Sequence, residues 1–355
     1  MKTQFTHFYR RSSYFACLLF ISLLLFNCSK DDDNPTPEVP EFEEEFEDGE
    51  DLPELEDEDP EIVEPETGGV DNSAATQAVV DDLGGDDGEV SEETEASLNA
   101  VGSLSDSYSE EVNQTAESLD EDSVEEILNT EDLEGALGDL EQSLNDLPEE
   151  VAALMPQINY TADFNRAVAA ALQKSSLNIS DSYPMSQAVN GPCADAARDG
   201  YDARIETLTS QRDAQLATIN SNYTRRVEEA GPRYETRLEK LNEDRSAYRA
   251  DLKATAVSLI TAANQFAAND RAVMAKQIRT LALIFTVKSQ SSLKEWFNAA
   301  NTVLSEKRAE EEATALSLQE EKTEIAETNF NTSKAAADAL LNSRLNRCHN
   351  QGSGN

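Results

Sequence analysis

From Tyr201 onward the chain can be written in elevens that hold one register for five lines: YDARIETLTSQ, RDAQLATINSN, YTRRVEEAGPR, YETRLEKLNED and RSAYRADLKAT. The first column reads Tyr201, Arg212, Tyr223, Tyr234, Arg245, the fifth Ile205, Leu216, Val227, Leu238, Arg249, and the eighth Leu208, Ile219, Ala230, Leu241, Leu252. Eleven residues over three turns is about 3.67 per turn, so such a repeat stays nearly straight, where heptads would supercoil to the left. Gly231-Pro232 is the one flaw. Proline removes a helical hydrogen bond and kinks or ends a helix, yet the phase continues across it, which predicts one kinked helix rather than two.

A second helical pattern runs from about Arg271 to Arg347, with Leu293, Leu304, Ala315, Ala326, Ala337 and Cys348 again at steps of eleven, beside Trp296, Leu318 and Leu340. Two such helices imply an all-α fold built on a long antiparallel hairpin, assigned to residues 191–349. "FAANDRA" supplies the turn, Asn269 and Asp270 ending one helix and starting the next. Each arm of roughly 75 residues extends about 110 Å at 1.5 Å per residue.

Charge divides the chain in two. Between Lys30 and Arg166 there are 47 Asp and Glu and no Lys or Arg; from Arg166 to the end there are 24 of each sign. The net charge of −43 therefore resides in the first part. Residues 28–89 are acidic and proline-rich, a composition that resists collapse and predicts a disordered, extended stalk. Residues 90–190 are acidic but patterned. Leu133, Leu137, Leu140 and Leu144 share a helical face, Val124, Ile127 and Leu128 form a second cluster, Val151, Ala152 and Leu154 follow Pro148, and Thr161 is a plausible N-cap for "ADFNRAVAAALQK". Three or four short helices are expected there. Residues 350–355 read as a tail.

The turn end of the hairpin carries Lys253, Arg271, Lys276, Arg279, Lys288 and Lys294 against the single acid Asp270, and its apolar residues, among them Phe266, Ile284 and Phe285, fall on more than one helical face. A two-helix rod cannot bury so wide a surface. The acidic short helices fold over it, or it is an interaction tip for self-association, a protein partner or a membrane.

At the other end of the chain, Lys2, Arg10 and Arg11 precede an uncharged apolar run from Tyr14 to Phe26. Thirteen residues fall short of the ~20 that span a bilayer and suit a secretory h-region of ~7–15. No A-x-A-like site follows. Leu25-Phe26-Asn27-Cys28 instead resembles a lipobox, with Asn27 where the pattern prefers a small residue, and Ser29, Lys30, Asp31, Asp32 and Asp33 resemble the acidic export tag of surface-exposed Bacteroidota lipoproteins. The resemblance covers roughly the first 33 residues. It implies cleavage after residue 27, acylation of Cys28 and a lipid anchor on the outside of the outer membrane, where two or more acyl chains hold stably.

With Cys17 removed with the signal and Cys28 given to lipid, Cys193 and Cys348 remain. Their midpoint falls on the expected turn, so folding back brings them together, and an oxidising compartment favours a disulfide contributing ~4–5 kcal/mol by chain entropy. Two free thiols, or a bridge between chains, are the alternatives. Beyond the signal the only histidine is His349, so no histidine-based triad or Cys/His zinc site is expected. "DDLGGDDGEVSEE" has no EF-hand register, no glycine-rich phosphate loop appears, and the net charge disfavours nucleic acid. No cofactor, metal site or catalytic residue is assigned. The leading expectation is a non-enzymatic surface lipoprotein presenting a helical rod. The others are a periplasm-facing or secretion-associated envelope spacer and a hydrolase or divalent-ion-binding protein.

Overall fold

A computed structural model of the chain describes residues 45–46, 49–85, 89–161 and 190–351. In order these form β1 (Gly69–Asp71), α1 (Ala74–Leu83), α2 (Glu92–Ser105), α3 (Glu110–Ser118), α4 (Glu121–Asn129), α5 (Gly135–Ser143), a 3-10 turn (Leu144–Asp146), α6 (Glu149–Ala152), β2 (Gln157–Asn159), α7 (Pro192–Ala268) and α8 (Ala272–Gln351). The long helices α7 and α8 pack on each other as an antiparallel hairpin. At about 1.5 Å per residue each is close to 115–120 Å long.

The eleven-residue register is the packing register. Leu208, Ile219, Ala230, Leu241 and Leu252 are all buried, and Leu293, Leu304, Ala315, Ala326 and Ala337 are buried opposite them on α8. α7 runs unbroken through Pro232. One helix rather than two spans the proline, as the uninterrupted phase predicted.

The turn is a Schellman motif with Asp270 as its left-handed residue (φ 60°). The Arg271 amide donates to the Phe266 carbonyl at 2.9 Å and the Asp270 amide to Ala267 at 3.3 Å, the paired bonds by which such a turn closes the carbonyls of a helix end. Asp is among the few residues other than glycine that tolerate this conformation.

Around the turn end, α2 to α5 pack on α8, and α1 and α4 on α7. Ser73, Ser91, Ser109 and Asp120 are the N-caps of α1 to α4, each accepting from the amide three residues on. Acids crowd the first turns of α2, α3 and α4, the end where the helix dipole favours them. This cap covers what the hairpin cannot bury by itself, for the seven residues from Leu281 to Val287 are all buried. Leu140, Leu144, Val124, Ile127, Leu128, Val151 and Leu154 reach the same core. Below the cap, β1 and β2 pair antiparallel, Val70 opposite Ile158. That small sheet and α1 lie outside what the hydrophobic pattern foretold. The helix expected after Thr161 lies outside the described residues.

One expectation requires correction. Residues 49–85, assigned to a free disordered stalk, lie against the hairpin and continue into β1 and α1. The physical reason is a row of polar side chains on α7 that engages them.

Candidate functional site: an acidic strap on a polar ladder

The fourth column of the eleven-residue repeat is Arg204, Gln215, Arg226, Arg237 and Tyr248, and the eleventh continues it with Gln211, Asn222 and Arg233. Alternating steps of seven and four place these on one stripe of α7. Arg204 donates to the Glu50 carbonyl. The Gln211 Oε1 accepts from the Leu52 amide at 3.1 Å while its Nε2 donates to Asp51 at 2.8 Å. Gln215 donates to the Pro53 carbonyl (2.8 Å) and Asn222 to the Asp57 carboxylate (2.7 Å). Arg226 reaches Asp57 (2.8 Å), the Glu58 carbonyl (3.0 Å) and Asp59 (2.9 Å). Arg237 grips Glu64 with two bonds, at 2.7 and 3.0 Å.

The strap is near full stretch. Gly49 lies against Arg204 and Gly69 against Tyr248, so 20 residues of strap match 44 residues of helix. At about 3.1 Å per residue for polyproline II and about 1.5 Å for an α-helix, the two spans come to roughly 62 and 66 Å. Pro53, Pro60 and Pro65 suit that conformation, which makes no internal hydrogen bonds. The ladder supplies the partners that a strand would find in a sheet. Apolar pegs add to it: Phe46 packs with Ala197, Tyr201, Leu341 and the cystine, and Leu52 with Leu208 and Phe330.

Two ion-pair centres join the strap to α7, and the second also takes in α8. Arg226 and Asp57 are each only 6% exposed at the side chain. Glu311 of α8, 4% exposed, sits between Arg233 (2.9 Å) and Arg237 (2.8 Å), and Arg237 is held from its other side by Glu64. The hydrogen bonds from Arg225 and Arg226 hold the Asp59 carboxyl below its usual range, and Arg237 does the same to Glu64. Between strap and hairpin lie two grooves of about 200 and 490 Å³, the first lined by Asp59, Ile62, Arg233 and Lys307, the second by Pro65, Pro232, Lys240 and Leu304.

No family model, no curated protein and no solved structure matches this chain. Its site must be read from its own geometry. Cys28, Ser29, Lys30, Asp31, Asp32 and Asp33 lie outside the described residues. Cys193 and Cys348 are bonded, with Cα atoms 5.8 Å apart. The candidate tip is covered rather than open: Phe266, Ile284 and Phe285 are buried under the chain's own helices. Lys253 pairs with Glu121 and Glu125 of α4 (3.0 and 2.8 Å). Arg279 donates to the Glu117 carbonyl and to Asn264, and Arg271 lies over the Phe266 ring at 4.8 Å. Lys276 is exposed. As an interaction surface the tip is thus occupied in cis, because acidic short helices match its charge and its apolar width together.

Sequence reasoning missed the ladder and the strap. The signal was present, since the fourth column is uniformly polar between the apolar eighth and fifth, but its partner lies some 150 residues earlier in a segment whose composition reads as disorder.

Proposed function

We propose that this chain is a non-enzymatic, lipid-anchored protein of the cell envelope, displayed at the outer surface, in which Cys28 tethers a stiff helical rod by its disulfide end. The carrying observation is the place where the strap begins. Phe46 is buried in the cluster that holds Cys193 and Cys348, and Glu45 pairs with Arg344 beside it. The 17 residues from Cys28 to Glu45 reach at most about 60 Å. An anchor at Cys28 therefore keeps the cystine end near the membrane and points the helical cap outward.

This orientation suits a spacer or a presented interaction surface. A load on the anchor runs along the strap's own axis, so the ladder contacts share it in shear instead of peeling one by one. The polar groups lining the grooves are largely committed to the ion pairs described above, which favours a structural role over catalysis.

The test is labelling with a fatty-acid analogue in the wild type and in Cys28→Ala, with protease shaving of intact cells. Label on the wild type alone, together with cap peptides released from intact cells, supports the reading. Label without shaving assigns the protein to the periplasmic face as a spacer. Label that survives Cys28→Ala overturns the anchor.

A further inference from the structure

In the first four hendecads the fifth column is aliphatic, Ile205, Leu216, Val227 and Leu238; in the last it is Arg249. In the same line the first column, which already holds Arg212, returns from Tyr234 to arginine at Arg245. Arg245 and Arg249 stand one helical turn apart at the seam with α8. The Arg245 guanidinium lies 4.4 Å above the Phe297 ring. The Nε of each is buried and has no hydrogen-bond partner.

The chain holds 71 acids and 28 bases, and several cations nearby are paired: Arg237 with Glu64 and Glu311, Lys253 with Glu121 and Glu125, Lys294 with Asp132. Among the described residues no carboxylate comes within ion-pair distance of Arg245 or Arg249. Like charges one turn apart repel, and a half-buried guanidinium with an unmet N–H carries a desolvation cost. Burial and the charge of Arg245 together push the Arg249 pKa down. The repeat offers a better residue for stability at position 249, an aliphatic one. The Phe297 ring repays part of that cost at Arg245; for Arg249 no such contact is found among the described residues, and a local cost without structural return is a mark of a site that serves a ligand.

We propose that Arg245 and Arg249 form a seat for a tetrahedral oxyanion, a phosphate or sulfate group, with Phe297 as its apolar floor. Each guanidinium presents five N–H donors in a planar fork, and such forks match phosphate-type oxygens in pairs. One face of Arg245 is occupied by the ring, which leaves its edge for the anion. A free ion, a sulfated glycan and a phospholipid headgroup carry the same chemistry. The inference does not depend on lipid anchoring.

The test uses the intact chain. Thermal unfolding is compared in sodium phosphate, sodium sulfate and sodium chloride at equal ionic strength, for the wild type, Arg249→Leu and Arg245→Gln. Phosphate and sulfate raise the midpoint of any folded chain somewhat; the expected result is a rise above chloride that is larger in the wild type than in either variant, with affinity at least tenfold weaker in the variants. Arg249→Leu in chloride should also unfold at a higher temperature than the wild type. A rise equal in all three proteins, or none beyond chloride, overturns the seat. Because Arg245→Gln can disturb the Phe297 packing, arginine Nε–H resonances of the wild type give a second reading. Phosphate should shift those of Arg245 and Arg249 selectively, and uniform or absent shifts overturn it. Heparin oligosaccharides and phosphatidylglycerol vesicles, titrated into wild type and Arg249→Leu, then distinguish a glycan from a lipid source.

Discussion

Asp270 is held left-handed at the turn, a conformation that costs an L-residue about 1–2 kcal/mol, partly offset in Asp by its local hydrogen bonding. Asp270→Gly removes that strain but gives the unfolded chain more freedom to lose, a cost of roughly 0.5–1 kcal/mol. The expected net effect is a gain of about 0.5 kcal/mol, whereas Asp270→Val should destabilise. Urea unfolding followed by Trp296, the single tryptophan and fully buried, measures both. Arg226→Ala strands Asp57 in a site where its side chain is 6% exposed. Removing one member of a buried pair costs about 3–5 kcal/mol when the other must stay. Here the strap can lift instead, so the cheaper response wins. Hydrogen exchange should rise across residues 50–60 while α7 and α8 stay protected, and protection of residues 50–60 equal to the wild type would contradict the ladder.

At the scale of elements, the strap is the part most sensitive to pH. Asp59 and Glu64 have folded pKa values below their unfolded ones. Their stabilisation is therefore complete above the usual carboxylate range of about 3.9–4.3 and is lost as pH falls through the lowered folded values. Limited proteolysis with an acid-active protease should begin to cut residues 50–66 below about pH 4 while the hairpin remains whole; cutting that starts near neutrality would point to other groups. The fold of this element was not legible from its composition. An acidic, proline-containing segment looks the same whether it is solvated or bound to a complementary surface. Only Arg204, Arg226 and Arg237, at multiples of eleven residues on a distant helix, distinguish the two. The cap was half legible: its apolar clusters at 124–128 and 133–144 marked helices, but β1 and α1 were not, since three-residue strands leave no periodic trace.

For the whole molecule, two quantities define the rod. A continuous α7 of 77 residues sets its length near 115 Å at 1.5 Å per residue, and small-angle scattering should return a maximum dimension of at least that; a markedly shorter one would mean α7 breaks at Pro232. The cystine closes a loop of 155 residues, for which chain entropy predicts up to about 5 kcal/mol. Cys193→Ser should lower stability in urea by several kcal/mol, and since Phe46 shares the cystine's cluster, the strap's first residues should become protease-sensitive before the cap does. Equal stability of the variant and the wild type would remove the staple from the account.

By itself the sequence determined the two long helices, their pairing, the turn at Asn269-Asp270 and the meeting of Cys193 with Cys348. An eleven-residue repeat and an even cysteine remainder are local or periodic signals, readable without knowing what lies opposite. Tertiary structure alone decided that the acidic half is bound, its strap laid along Arg204 to Arg237 and its short helices folded over the basic tip. Complementarity of charge belongs to two surfaces at once, and it is visible only when both are in place.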